Sequence, residues 1–172
     1  MTRDAGAATA RVVENGALSF FCPDVTDAST LKRVQQFMDF GYSVTVFGFR
    51  RDRYNTDYQP PWPNVPLGFT TDLKYWHRLS ALLHAVPALF ANRRTLARAS
   101  IFYARNIDQL LLALLGRLIA FSRAPVAYEV LDIPAILMRR GLVPTFLRAI
   151  ERLCLRRVSL LVLSSPLSLI HI

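Results

Sequence analysis

The stretch ALSFFCPDVTDASTLKRVQQFMDFGYSVTVFGF, Ala17 to Phe49, decides the fold. ALSFFC (17–22) is a short apolar run bounded by Gly16 and Pro23, which reads as a buried strand. PDVTDAST follows with loop chemistry, and Asp27 and Ser29 are its candidate helix N-caps. In TLKRVQQFMDF, Leu31, Val34, Phe37 and Met38 share one helical face, with Gly41 as the expected C-cap. YSVTVFGF (42–49) is again β-rich. Strand, helix and strand within roughly thirty residues make a βαβ unit, which requires a parallel pair and a right-handed crossover.

Working outward, RRDRYNTDYQPPWP is a polar, proline-rich loop and NVPLGF a short third strand. Residues 72–98 carry a helical pattern that should break near Pro87 and that ends in Arg93, Arg94 and Arg98. ASIFYA (99–104) is a strand, followed by a helix from Ile107 to Ser122. APVAYEVLD (124–132) is a strand and IPAILMRRG a short helix ending at Gly141. PTFLRAIERLCLRR (144–157) is amphipathic, with Pro144 in its first turn. VSLLVLSS (158–165) closes the series as a strand. This alternation predicts an α/β, Rossmann-like fold: a mostly parallel sheet with helices on both faces.

Size fits one domain: 172 residues, 52% hydrophobic and 19% charged. The expected division is a flexible leader over 1–16, the Rossmann-like domain over 17–166 and a non-native tail over 167–172. The formal charge is +9, and apart from Lys32 and Lys74 every basic residue is arginine. Such a surplus favours an anionic partner, unless an acidic part of the protein lies elsewhere. The start of the chain has no apolar run of the signal-peptide kind. The most apolar segment, LLLALLGRLIAF (110–121), is shorter than the ~20 residues of a membrane span and carries Arg117. A cytoplasmic location, peripheral at the inner face of the membrane, is the expectation. Cys22 and Cys154 lie in apolar contexts and read as buried free thiols.

Ligands in parallel sheets bind beyond the carboxyl ends of the strands. That selects the loops at Pro23–Asp27, Arg105–Asp108, Glu129–Asp132 and Ser164–Pro166, and with them Asp24, Asp27, Arg105, Asn106, Glu129, Asp132 and Ser165 as candidate substrate-binding residues. Arg105 and Asn106 offer a guanidinium fork and an amide suited to phosphate or sugar hydroxyls. The carboxylates of Glu129 and Asp132 suit hydroxyl recognition. Simpler roles compete: Asp108 as an N-cap, and Glu129 and Asp132 as caps or in a salt bridge to Arg139 or Arg140, with the same ambiguity at Asp24 and Asp27. The first loop lacks the G-x-G-x-x-G of dinucleotide sites, and no P-loop, G-x-S-x-G or metal-spaced histidine cluster occurs. His77, His84 and His171 are scattered, so no metal and no catalytic triad is expected. Arg148, Arg152 and Arg156 fall at i, i+4 and i+8 as a basic stripe, either a solvated helix face or a contact for anionic lipid.

Three pieces in order carry a resemblance: FCPDVTDASTLKRVQQFMDFGYSVTVFGF, IFYARNIDQLLLALLGRLIAFSRAPVAYEVLDIP and RAIERLCLRRVSLLVLSSP. Together they resemble the N-terminal domain of family-four type glycosyltransferases of the GT-B architecture, over about Ala17 to Pro166. GYSVTV matches a "G-x-x-V-T-V" strand and VAYE a "VVYE" strand. Arg148, Glu151 and Arg156 match the last helix, with Ser159 where the family has Asp. The resemblance implies transfer of a sugar from a nucleotide-sugar donor to a sugar or lipid-linked acceptor, without a cofactor and without nucleic acid. The acceptor is held by this half; the donor is held mainly by a second domain absent here. Many members carry a Gly-rich first loop and a His after the "YE" strand. Here Pro23–Asp27 has no glycine and Leu131 stands at the His position. Asp24, Asp27, Arg105, Glu129 and Asp132 are then the available substitutes. A stand-alone, non-catalytic module binding a nucleotide, an anion or a membrane surface is the alternative. The last residues, LSLIHI, equal the translation of CTGTCTCTTATACACATC, the end of a transposon adapter used for sequencing libraries, so the expectation is that Leu167–Ile172 is not native.

Overall fold

The computed structural model describes residues 15–51, 58–70, 75–131 and 142–163. In chain order the elements are β1 (Gly16–Cys22), α1 (Ala28–Asp39), β2 (Tyr42–Arg51), β3 (Asn64–Thr70), α2 (Tyr75–Ala91), α3 (Arg93–Ala97), β4 (Ile101–Arg105), α4 (Ile107–Ile119), β5 (Val126–Val130), α5 (Leu142–Leu155) and β6 (Leu160–Leu163). The strands form one sheet in the order β3-β2-β1-β4-β5-β6, and every pairing is parallel. The chain is therefore a Rossmann-like α/β fold. Its sheet grows one way from β1 to β3 and the other way from β4 to β6. The reversal opens a crevice at the carboxyl ends of β1 and β4.

Burial explains why the strands read as continuous apolar runs. On one face, Leu18, Phe20, Val44, Val46 and Tyr103 pack against Val34, Leu31 and Phe37 of α1. On the other, Phe21, Phe47, Phe102, Ala104 and Tyr128 meet Ala85 and Leu89 of α2, Leu96 of α3, Leu110 and Ala113 of α4 and Cys154 of α5. Alternate residues of a strand face opposite ways, so two covered faces leave no polar side. Aromatic rings bind the sheet laterally: Phe21 stacks on Phe47 at 4.9 Å and Phe20 on Tyr103 at 5.2 Å. Edge-to-face contact of Phe37 with Tyr103, also at 4.9 Å, ties in α1.

Local chemistry sets the ends of the elements, with four departures from the sequence expectation. Asp27 caps α1 as expected, and Gly41 takes the left-handed φ of 84° one residue past the C-cap, Phe40. Gly16, placed in the leader, opens β1 instead. Pro87 does not break its helix, because its exposed side leaves the unpaired carbonyl to water. The break falls at Asn92, whose amide donates to the Ala88 carbonyl at 2.8 Å and closes the last turn of α2. Asp108 is not an N-cap; Asn106 holds that position and Asp108 sits in the first turn of α4. The expected helix over 133–141 and the tail over 167–172 lie outside the described residues, as do residues 1–14 of the leader.

Candidate functional site

The carboxyl edge of the sheet is assembled from short polar loops. After β1, Asp24 Oδ1 accepts from the Thr26 amide at 2.9 Å and from the Thr26 hydroxyl at 2.8 Å. Val25 is buried beneath this turn, and its amide donates to the Phe49 carbonyl at 3.0 Å. Asp27 accepts from both the amide and the hydroxyl of Ser29. The loop is thus a pair of Asx-type turns pinned to β2, a rigid substitute for a glycine loop.

Behind this loop runs a buried ionic chain. Arg105, the last residue of β4, donates to Thr30 Oγ1 at 2.9 Å and to Ser29 Oγ at 3.2 Å. Its Nε lies 2.8 Å from Glu129 Oε2, and both side chains are 3% exposed. The approach is off the N–H axis, so this contact is Coulombic rather than an aligned hydrogen bond. Arg33 Nη2 of α1 donates to the other carboxylate oxygen of Glu129 at 2.7 Å. The register that pairs Arg105 with Glu129 brings the strand ends together. Asp27, Ser29, Arg105, Glu129 and Arg33 therefore link the β1 loop, α1, β4 and β5 across the switch point. Burial first, and the Glu129 charge second, push the Tyr103 hydroxyl up, so it stays protonated beside that carboxylate.

In front of this chain the polar groups are less fully engaged. Asn106 joins β4 to α4 with φ 70° and ψ 159°, a region that side chains other than glycine's seldom enter. Its amide donates to the Glu129 carbonyl at 3.0 Å and its carbonyl accepts from Leu110 at 3.0 Å, which over-determines the turn. Asn106 Oδ1 is buried without a hydrogen-bond partner, and so is Oε1 of Gln109, which is 2% exposed. Each orphan acceptor costs about 1–3 kcal/mol. Gln109 lines a cleft shared with Pro23, Phe49, Arg51, Thr70, Leu82 and Asp108, with room for about one water. What the edge can do chemically is accept hydrogen bonds from hydroxyls at the Asp24 and Asp108 carboxylates, with the buried amide oxygens of Asn106 and Gln109 reached only if the turn opens.

Of the sequence-selected residues, Asp24, Asp27, Arg105, Asn106 and Glu129 thus gather at one edge. Asp132 and Ser165 lie outside the described residues. Arg105 and Glu129 spend their polar atoms on each other and on α1. Glu129 thereby finds its cations on β4 and α1. Arg148 is half-buried and donates to Thr145 Oγ1 at 3.2 Å, whereas Arg152 and Arg156 are exposed. Arg152 lies in α5 and Arg156 just past its end, away from this edge. Sequence reasoning missed Arg33, Thr30 and Gln109. The one available signal was a pair of opposite charges, Arg105 and Glu129, ending two otherwise apolar strands. Among the described residues no group of acids, histidines and cysteines is arranged to hold a metal ion, and no helix is long and apolar enough to cross a membrane.

Fold and edge together define a class: a Rossmann-like domain whose switch-point crevice is polar, ion-paired and without a phosphate-binding glycine loop. No family model matches the chain. It is 29% identical over 154 residues, 88% of its length, to the succinoglycan biosynthesis protein ExoL of Rhizobium meliloti (strain 1021). The chain spans 38% of that protein's length.

Proposed function

We propose that this chain is the acceptor-side domain of a GT-B, family-four type glycosyltransferase that acts in the synthesis of a bacterial exopolysaccharide. The observation that carries the reading is the similarity to a protein of succinoglycan biosynthesis along nearly the whole chain. A polysaccharide is built by successive glycosyl transfers, and a Rossmann-like half-enzyme is a fitting part for one. The donor is a nucleotide sugar gripped mainly by a second domain beyond this chain, and the transferase is of the hexosyl type. The acceptor is a sugar, free or lipid-linked, and no cofactor takes part. The enzyme works in the cytoplasm.

At the edge, the unpartnered Asn106 and Gln109 oxygens suit the hydroxyls of a sugar acceptor. Arg105 and Glu129 act as positioning residues: they fix the β1 loop and the α4 entry so that Asp24, Asn106 and Asp108 keep one geometry. The absence of glycine from the β1 loop agrees with a site that meets no diphosphate. Isothermal titration of the chain with UDP-glucose tests the division of labour. Little heat is expected from this half alone, while the full gene product should transfer labelled sugar from a nucleotide donor to a membrane lipid extract. Tight, saturable binding of UDP-glucose to this chain alone overturns the assignment.

A further inference from the structure

We propose that the edge of the domain opposite the candidate site docks on an anionic lipid bilayer, through an apolar and arginine-rich surface built by α2, α3 and the end of α4. This does not depend on the glycosyltransferase reading. In α2, Ala85 and Leu89 face the core, and so do Ala81, Leu82 and Ala88 in part. The opposite side is apolar as well. Leu79, Leu83 and Phe90 are 50%, 65% and 55% exposed, and at about 100° per residue they fall within a narrow arc that runs along the helix and reaches the opposite edge at Phe90. Apart from the exposed pair Ser80 and His84 the outer side is apolar, and a helix with so little polar surface is ordinarily covered on both sides. Here the outer stripe is bare.

The end of α4 repeats the anomaly. Leu118 is 69% exposed, and Phe121, just past the helix, is 92% exposed. Phe121 also adopts a φ of 50°, the left-handed conformation that usually falls to glycine at a helix C-terminus. The chain accepts backbone strain there and presents a bare aromatic ring as well. Both α2 and α4 return from the carboxyl edge of a parallel sheet, so they end at the same, opposite edge, and they pack together.

Cations surround these rings. Arg93, Arg94, Arg98 and Arg123 are exposed, and among the described residues none of them pairs with a carboxylate. Between Asp72 and Glu129 the sole carboxylate is Asp108, at the far end of α4. A bilayer satisfies both halves of this surface: the apolar groups enter the acyl boundary while the guanidinium groups meet lipid phosphates. Nucleic acid would use the arginines but leave Leu83, Phe90 and Leu118 in water. Exposed Arg152 and Leu153 in the last turn of α5, which packs beside α4, and Arg156 just past it extend the surface at the same edge.

Co-sedimentation of the 172-residue chain with vesicles decides the matter. On phosphatidylcholine mixed with phosphatidylglycerol, binding should be at least about tenfold tighter than on phosphatidylcholine alone, and should weaken as salt rises. Phe121→Gly relieves the left-handed strain, so its thermal midpoint should stay level or rise while vesicle binding falls roughly fivefold. The triple variant Arg93→Ala, Arg94→Ala, Arg98→Ala should lose the preference for phosphatidylglycerol. Equal binding to both vesicle types, or unchanged binding by folded Phe121→Gly, overturns the proposal. So does a duplex oligonucleotide that displaces the vesicles and binds Phe121→Gly as well as the parent, which would assign the surface to nucleic acid.

Discussion

Arg33 on α1 and Glu129 on β5 meet at 2.7 Å although 96 residues separate them. Glu129 is shared with Arg105, so one carboxylate neutralises two guanidinium groups of unequal burial. The Arg105 side chain is 3% exposed and the Arg33 side chain 37%. Removing the anion strands Arg105 in a water-poor site, a loss of about 3–5 kcal/mol. Removing Arg33 leaves the Arg105 pair intact and costs no more than about 1 kcal/mol, because water screens that end. Glu129→Gln should therefore lower the urea midpoint several times more than Arg33→Ala does. Equal midpoint shifts would show that the buried Arg105 pair adds nothing beyond the Arg33 contact.

Asn106 joins stored strain to an orphan oxygen, a combination that functional turns exhibit. Glycine adopts φ 70° and ψ 159° without penalty, so Asn106→Gly should stabilise the fold by about 1 kcal/mol. Asn106→Ala keeps the strain and removes only the orphan acceptor, so its gain should be smaller than that of Asn106→Gly. If Asn106 serves the acceptor, Asn106→Gly will unfold later and turn over more slowly in the full-length enzyme. A glycine variant that melts no later than the parent would mean that the turn is not strained.

The sheet was legible because its signals are local or repeated. Phe and Val runs between Pro and Gly mark strands whatever their neighbours, and the Asp27 cap depends only on Ser29, two residues on. Misreadings arose where a local rule met a long-range fact. Pro87 tolerates a helix because its side of α2 faces water, which no spacing reveals. Asp108 and Asn106 are equally good caps on paper; Asn106 takes the role because β4 runs on to Arg105, leaving one residue for the turn. Arg139 and Arg140, the partners that proximity in sequence suggests for Glu129, lie outside the described residues; the cations seen on it are Arg105, placed beside it by register, and Arg33. Arg33 could not be read at all, since among the polar residues of α1 nothing local distinguishes it from Lys32.

Glu151 on α5 supplies a pH test. Burial raises its carboxyl pKa above the ordinary 4.5, so the charged form is disfavoured in the folded chain. A group raised on folding contributes stability that is complete below its unfolded pKa and disappears as pH climbs through the folded value. At neutral pH the Glu151 charge is therefore a burden that glutamine lacks. Glu151→Gln should melt later than the parent at pH 7.5, with the difference closing as pH drops below 4.5. A gap that is constant across that range would remove proton linkage as its cause.

Gly48 lies in β2 directly beneath the β1 loop. A Cβ added there would meet the Val25 Cγ1 and come within 2.7 Å of Cys22 Sγ. Val25 is buried and its amide is bonded to Phe49, so neither the strand nor the loop has slack to receive a methyl group. Overpacking of this kind costs about 1–3 kcal/mol. Because Val25 sits between Asp24 and Asp27, the strain must also shift the turns that hold Ser29 against Arg105. Gly48→Ala should thus lower the thermal midpoint and, on the proposed glycosyltransferase reading, raise KM for the acceptor more than KM for the nucleotide-sugar donor in the full-length protein. Val25→Ala in the same chain removes the clashing methyl and should restore much of the acceptor KM. Failure of that second substitution to restore it would place the Gly48→Ala defect elsewhere than in the β1 loop.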